Sequence, residues 1–285
     1  MTLQNMTVSF IGSGVMAEAM IKGLINKKLL NADQIIAADP NADRGAELVE
    51  RYGLRYTADN HEAASGADIL ILAIKPQMLA HVVPQLRRVA HDAKMILSIL
   101  AGVRIRTIAD GLLNPSIVRA MPNTPAQIGQ GITVWTATGE VPEAMRAQAK
   151  GLLGALGEEL YMDDEKYLDM ATALSGTGPA YVFLFMEAMI DAGVHMGFSR
   201  KDAERLVLYT MRGSVDYALQ SSLHPAQLRN QVTSPGGTSA EAIYQMEKGG
   251  LRTVLSRSIW AAYQKSVSLG DAQEKAHDNR GEGER

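Results

Sequence analysis

The run Met6-Thr7-Val8-Ser9-Phe10-Ile11-Gly12-Ser13-Gly14-Val15-Met16-Ala17 constrains this chain more than any other segment. An apolar, strand-like stretch ends in Gly-x-Gly-x-x-Ala. A helical pattern follows, with Ala19, Met20, Leu24 and Ile25 on one side. Gly12 permits a tight turn after the strand. Gly14 leaves room for a pyrophosphate against the backbone, and Ala17 is small enough for the helix to lie close to the sheet. The free N–H groups of that helix, Ser13, Val15 and Met16 among the turn residues, then face the phosphates with the helix dipole assisting. A strand–turn–helix corner without a ligand uses similar glycines, so the motif counts only in its strand-before, helix-after setting.

With 285 residues the chain holds one large domain or two modest ones. A hydrophobic share of 46% and a charged share of 21% describe an ordinary globular protein. The net charge of −3 gives no bulk attraction to nucleic acid or anionic lipid. There is no cysteine, which excludes disulfides and thiolate chemistry and suits a reducing cytoplasm. The N-terminus lacks a signal-peptide pattern, and no apolar run reaches the ~20 residues of a membrane span. A cytoplasmic protein with no membrane or nucleic-acid partner is therefore expected.

Up to residue 163, strand-like and helix-like segments alternate. Strands are expected at 34–39, 68–74, 94–100 and 117–121, helices at 42–52 and 103–112, and an edge strand at 131–137. The continuous apolar run Ile69-Leu70-Ile71-Leu72 is that of a parallel strand buried on both faces. Alternating βαβ units predict an α/β fold, a Rossmann-like dinucleotide-binding domain over residues 1–163. From residue 164 to 270 long helical periodicities take over, at 179–196, 201–219, 239–248 and 251–269. Ser199 with Asp202 makes a capping-box-like start. Leu206, Val207, Leu208, Met211 and Val215 exceed a single apolar stripe, which predicts burial against another chain or in a thick core. Residues 271–285 are polar and aperiodic and are expected to be disordered.

Several loops carry residue types suited to chemistry. Asp39 stands 27 residues after Gly12 at the end of the second strand, where an acid accepts hydrogen bonds from an adenosine ribose and repels a 2′-phosphate. Arg44 could offset that repulsion, so NADH and NADPH both stay open, with the acid favouring NADH. Ala73-Ile74-Lys75-Pro76 follows a central strand and is expected to border the same cleft; Lys75 is either a catalytic cation or a solvated strand-end lysine. Two prolines stiffen the loop around Asn123, whose amide suits a carboxamide, or the loop is simply a rigid turn. Ser175 to Tyr181 and Val232 to Glu241 each set small residues ahead of a helix, so both are candidate anion sites. The second, with Ser234, Gly236, Gly237, Thr238 and Ser239, is the better one. The six histidines are scattered without metal-ligand spacing, and no Gly-x-Ser-x-Gly elbow is present, so neither a metal site nor a hydrolase triad is expected.

Taken together these blocks resemble the pyrroline-5-carboxylate reductase family over residues 6–270, in the order Phe10 to Ala17, Ala73 to Gln77, Arg119 to Pro125, Ser175 to Tyr181 and Ser234 to Ser239. The resemblance implies an NAD(P)H-dependent reduction of a cyclic imine to L-proline, the last step of proline biosynthesis. It implies an all-α dimerisation domain after the Rossmann-like one, in a homodimer or a ring built from dimers. It gives the Ser234–Ser239 loop the substrate carboxylate, and Asn60 and Asn123 positions lining the cofactor site. A protonated imine is already a strong hydride acceptor, so the enzyme mainly positions reactants; Ser239 is the candidate to bond the ring nitrogen, water the alternative. Ser239 departs from the family's usual Thr, and Asp39 from a frequent Ser or Thr, which puts an NADPH preference in doubt. A 3-hydroxyacid dehydrogenase is the rival reading, but the matching run Thr177 to Glu187 has no Lys. A non-catalytic cofactor-sensing scaffold is the other, and it has no use for a carboxylate loop.

Overall fold

The computed structural model describes Leu3 and residues 6–283, with side chains through residue 275. The first half alternates as the periodicity predicts: β1 (Val8–Ile11), α1 (Val15–Asn26), β2 (Ile35–Ala38), α2 (Ala42–Tyr52), β3 (Arg55–Thr57), α3 (Asn60–Ala64), β4 (Ile69–Leu72), α4 (Leu79–Leu86), β5 (Met95–Ser98), α5 (Ile105–Leu112), β6 (Ile117–Met121), β7 (Gly131–Ala137), α6 (Glu143–Gly154) and β8 (Gly157–Tyr161). These strands form one sheet in the order β3-β2-β1-β4-β5-β6-β7-β8, and every pair is parallel except β6 with β7.

Side-chain alternation divides the core into two layers. Val8, Phe10, Ile69, Ile71, Met95, Leu97 and Val118 pack on one face with Met20 and Leu24 of α1 and Leu152 of α6. Ile11, Leu70, Leu72, Ile96 and Ile117 pack on the other with Leu79, Leu86 and Ile108 of α4 and α5. A strand covered by helices on both faces must be apolar at every position, as Ile69 to Leu72 are.

One expectation about the sheet needs correcting, and two strands went unread. β7 is not an edge strand, because β8 pairs with it in parallel, Gly131 opposite Gly157. β8 reads Gly-Glu-Glu-Leu-Tyr and is largely exposed, so no apolar pattern marks it. Glycine is required at its start: Gly157 has φ +137°, and a Cβ there would fall 2.1 Å from the Gly131 carbonyl oxygen. The short strand β3 is likewise half-exposed and carries no period.

The rest of the chain is helical: α7 (Lys166–Ala171), α8 (Gly178–His195), α9 (Arg200–Gln220), α10 (Pro225–Gln231), α11 (Thr238–Lys248) and α12 (Leu251–Gly283). By compactness the chain divides at Thr177/Gly178, later than the expected residue 164, and the residues from Ala262 onward belong with the first unit. Within the second unit α8 and α9 form a hairpin. Gly193 lies close against Ala203, Asp191 pairs with Arg200 at 3.0 Å, and Ser199 caps α9 by accepting from the Asp202 N–H. His224 caps α10 by accepting from the Ala226 N–H at 3.2 Å. Few side chains of this unit are buried; Phe183, Leu184, Met196, Leu206, Tyr209, Val215 and Leu219 all lie exposed. By length and composition alone the stretch Lys166–His195 suffices to cross a membrane, but Asp169, Glu187 and Asp191 interrupt it, so it holds no unbroken apolar run of that length.

Residues 271–283 are helical, not disordered as their polarity suggested; 284 and 285 lie outside the described residues. Arg104 forms ion pairs with both Asp271 and Glu274. Gly270 approaches so closely that a Cβ would lie 3.0 Å from the Gly102 carbonyl oxygen. Good helix formers such as Ala272, Gln273 and Lys275 extend a helix once its base is anchored in this way. Arg104→Ala is expected to speed amide hydrogen exchange from residue 271 onward while leaving β1, β4 and β5 protected, with a global cost of about 1 kcal/mol or less, as befits half-exposed pairs.

Candidate functional site

The strand order reverses between β1 and β4, and the Gly12–Gly14 turn leaves β1 at that point. Gly12 has φ +90°, and a Cβ on it would lie 2.9 Å from both the Ala73 carbonyl oxygen and Ile74 Cγ2. The turn is thus pressed against Ala73 and Ile74, as the sequence placed them. Gly12 N–H donates to the Ala38 carbonyl at 2.9 Å, which ties in β2 as well. Gly14 caps α1 without any side-chain hydrogen bond, and the first intrahelical bond is Glu18 N–H to the Gly14 carbonyl. The N–H groups of Val15, Met16 and Ala17 therefore have no partner within the helix. A Cβ on Gly14 would meet nothing within 4 Å.

The Ser13 N–H does not join that set. It donates to Asp39 Oδ2 at 3.1 Å, and the buried Ser13 hydroxyl donates to the same oxygen at 3.0 Å. Asp39 Oδ1 accepts from the Asn41 N–H at 3.0 Å. Asp39 is thus no helix cap; Asn41 is, accepting from the N–H groups of Asp43 and Arg44. Arg44 Nε donates to the Ser13 carbonyl at 2.9 Å, Nη1 donates to Glu47 at 2.6 Å, and Nη2 bonds Glu18. Arg51 closes the network onto Glu18 and Glu47. Burial alone would raise the Glu18 carboxyl, but hydrogen bonds from Arg44, Tyr52 and Arg51 hold it below its ordinary value. Sequence reasoning missed Glu18, Glu47 and Arg51. The helical spacing Arg44–Glu47–Arg51 was a readable signal, whereas Glu18 stands 26 residues from Arg44.

The other expected cleft residues follow the same ends of the parallel strands. Lys75 is exposed, and Pro76 opens a single 3-10 turn (Pro76–Met78). Asn60 begins α3, and its Nδ2 donates to Gln85 Oε1 of α4 at 2.9 Å. Asn123 is buried, and its Oδ1 accepts from the Ile132 N–H at 3.0 Å, which fixes the orientation of its amide group. These features fit a dinucleotide. The open space over Gly14 and the three unpaired N–H groups suit a pyrophosphate, and the Asp39 carboxylate keeps a lone pair for a ribose hydroxyl.

In the second unit, Ser234 to Gly237 form a β-turn. Gly237 N–H donates to the Ser234 carbonyl at 3.1 Å, and Gly236 at φ +70° supplies the left-handed corner after Pro235. Gly237 caps α11 with no side-chain hydrogen bond, which leaves the Thr238, Ser239 and Ala240 N–H groups at a bare helix start. A Cβ on Gly237 would lie 2.5 Å from Ser234 Oγ. The other candidate anion loop also leads into a helix: Thr172–Gly176 is a π-turn, Thr177 N–H is bonded to the Thr172 carbonyl at 2.8 Å, and α8 begins at Gly178 with Pro179 in its first turn, where a missing N–H costs no intrahelical bond.

A parallel sheet that reverses at β1 and β4, with an uncapped glycine turn at the reversal, is the plan of a nicotinamide-dinucleotide oxidoreductase. Comparison with known proteins narrows that class. Residues 165–269 match the model for pyrroline-5-carboxylate reductase dimerisation, and residues 7–102 that for NADP oxidoreductase, coenzyme F420-dependent. The pyrroline-5-carboxylate reductase of Synechocystis is 40% identical over 263 residues, 92% of this chain and 98% of that one. The structure of the Coxiella burnetii pyrroline-5-carboxylate reductase aligns with TM-score 0.86 at 33% identity, covering 93% of this chain and 99% of that one. A Plasmodium falciparum pyrroline carboxylate reductase with NADP bound aligns with TM-score 0.85 at 30% identity, covering 94% and 99%. The chain belongs to the pyrroline-5-carboxylate reductase family. It is an NAD(P)H-dependent oxidoreductase, and the apolar side chains exposed from α8 to α12 lie in the region that matches the dimerisation model, which supports oligomerisation.

Two substitutions separate the roles of the turn glycines. Gly14→Val, at an ordinary φ of −67° with open space around it, is expected to keep the urea midpoint near wild type while abolishing NADH binding by calorimetry. Gly12→Ala is expected to lower the urea midpoint itself, because backbone and neighbour both resist a Cβ.

Proposed function

We propose that this chain reduces 1-pyrroline-5-carboxylate to L-proline with NADH or NADPH, the last step of proline biosynthesis. The observation that carries the reading is the bare start of α11 behind the Ser234–Gly237 turn, in a chain that also holds the glycine turn of a dinucleotide site. A small imino acid presents one carboxylate. The N–H groups of Thr238, Ser239 and Ala240 bind it without a permanent countercharge. Gly236 turns the chain into that start, and the missing side chain of Gly237 lets Ser234 close the turn. The Ser239 hydroxyl bonds the ring nitrogen and favours its protonated form, the form that accepts hydride. Gly12, Gly14, Val15 and Met16 hold the pyrophosphate region, Ser13 fixes Asp39, Asp39 and Arg44 flank the ribose, and Asn60, Ala73, Ile74, Lys75, Pro76 and Asn123 line the remaining cleft. When bound, the nicotinamide supplies the hydride.

A second copy of this chain covers the exposed apolar faces of α8, α9, α11 and α12, giving a homodimer or a larger homo-oligomer of dimers. Support comes from Phe183, Leu184, Leu206, Tyr244 and Val254, which stand exposed in one chain. Sedimentation at micromolar concentration is expected to give at least a dimer; a fully active monomer contradicts this. The lack of cysteine agrees with a cytoplasmic location.

The substrate assignment is tested by steady-state kinetics with pyrroline-5-carboxylate. Gly237→Ala is expected to raise KM for the imine strongly and leave NADH binding nearly intact. Ser239→Ala should lower kcat by more than it weakens substrate binding, on the order of 10–100-fold for a hydrogen bond that strengthens in the transition state. Ser239→Thr, which keeps the hydroxyl, should be nearly silent. A fully active Ser239→Ala enzyme would take the hydroxyl out of the mechanism and leave the proton to water.

A further inference from the structure

We infer that this chain selects the dinucleotide with a free ribose 2′-hydroxyl, NADH over NADPH, and that Glu18 and Glu47 set the choice by holding the Arg44 guanidinium. The inference rests on the oxidoreductase reading, with a dinucleotide seated at the Gly12–Ala17 turn.

Three features at the end of β2 converge on it. The first is the Asp39 carboxylate, fixed against the turn by the Ser13 N–H and hydroxyl and by the Asn41 N–H. A ribose hydroxyl can donate to it, whereas a phosphate, having only acceptors when ionised, cannot. The second is the state of Arg44, the cation that stands beside this position. Its Nε is spent on the Ser13 carbonyl, one Nη on Glu47 and the other on Glu18. Its side chain is only 19% exposed, so it is held in this arrangement. The third is the start of α2, an anion site in other dinucleotide folds. Here the Asn41 side chain already takes the N–H groups of Asp43 and Arg44.

Charge adds to geometry. Asp39, Glu18 and Glu47 set three carboxylates against the guanidiniums of Arg44 and Arg51. Hydrogen bonds from Arg44 keep the Glu47 carboxyl below its ordinary value, so it is ionised at neutral pH. A 2′-phosphate would bring about −1.5 to −2 further charges to this already net-negative spot. Three of the five Arg44 N–H donors are already used, and to grip the guanidinium in the bidentate way a 2′-phosphate would have to displace Glu18 or Glu47. The two glutamates never touch the dinucleotide in this account; they act as positioning residues through Arg44.

The test measures dissociation constants for NADH and NADPH directly by calorimetry, without imine substrate, with thermal melting as the check on folding. Wild type is expected to bind NADH at least about tenfold more tightly than NADPH, the scale of one unfavourable close charge pair. Glu18→Gln with Glu47→Gln should tighten NADPH binding about tenfold by releasing Arg44, and change NADH binding less than about threefold. Adding Arg44→Met should erase the gain. Should the double variant melt out, Glu47→Gln alone, at an exposed helix position, should move NADPH binding the same way by a smaller factor. Wild type binding NADPH as tightly as NADH overturns the inference, as does a folded glutamate variant with unaltered NADPH affinity. If both dinucleotides bind and the imine is reduced, but NADPH is preferred, the inference alone falls. If neither binds, the dinucleotide-site reading falls with it.

Discussion

The close approach of Gly12 to the end of β4 is the contact on which the remaining structure turns. A backbone with φ +90° and no side chain lets the first turn pack where a Cβ would lie 2.9 Å from the Ala73 carbonyl oxygen and from Ile74 Cγ2. That contact sits where the sheet changes direction, between the two strands at its centre. It fixes the start of α1, so the three unbonded N–H groups face the open space over Gly14. It also places Ser13 where both its N–H and its hydroxyl reach Asp39 at the end of β2. The apolar strands β1, β4 and β5, buried on both faces, are the rigid support that keeps so tight a turn in place.

Function is divided along the chain in the same way as structure. The first compact unit carries every residue assigned to the dinucleotide, and the second carries the Ser234–Ser239 turn. Both use one device, a helix whose first N–H groups are left uncapped behind a glycine corner. An anion held this way needs no lysine or arginine beside the reacting centre. That suits a reaction whose substrate nitrogen must carry a proton. The helices of the second unit leave many large apolar side chains exposed, in the region that matches the dimerisation model.

Sequence pattern located α2, β6 and β7 to the residue, because a well-formed amphipathic helix and runs of β-branched residues leave a strong period. The glycine turn and the Ser234–Gly237 corner were legible for a related reason: Gly12 and Gly236 answer a left-handed backbone that other residues rarely adopt. What escaped was set by tertiary partners. β8 is polar and pairs only because β7 offers an open edge. The helix beyond residue 270 persists because Arg104, 167 residues away from Asp271, anchors it. The π-turn at Thr172–Gly176, directly ahead of the expected helix start at Gly178, carries no period of its own. Arg44 was read as a free cation, and nothing near it in sequence announces Glu18.

Binding of a dinucleotide over the bare start of α1 is read out by amide hydrogen exchange of the whole enzyme, with and without saturating NADH. The N–H groups of Val15, Met16 and Ala17 have no acceptor in the helix and exchange rapidly when unliganded. NADH is expected to protect the peptide spanning residues 12–18 and to leave peptides of α4 and α6 unchanged. Protection confined to other segments, with residues 12–18 exchanging as before, would contradict it.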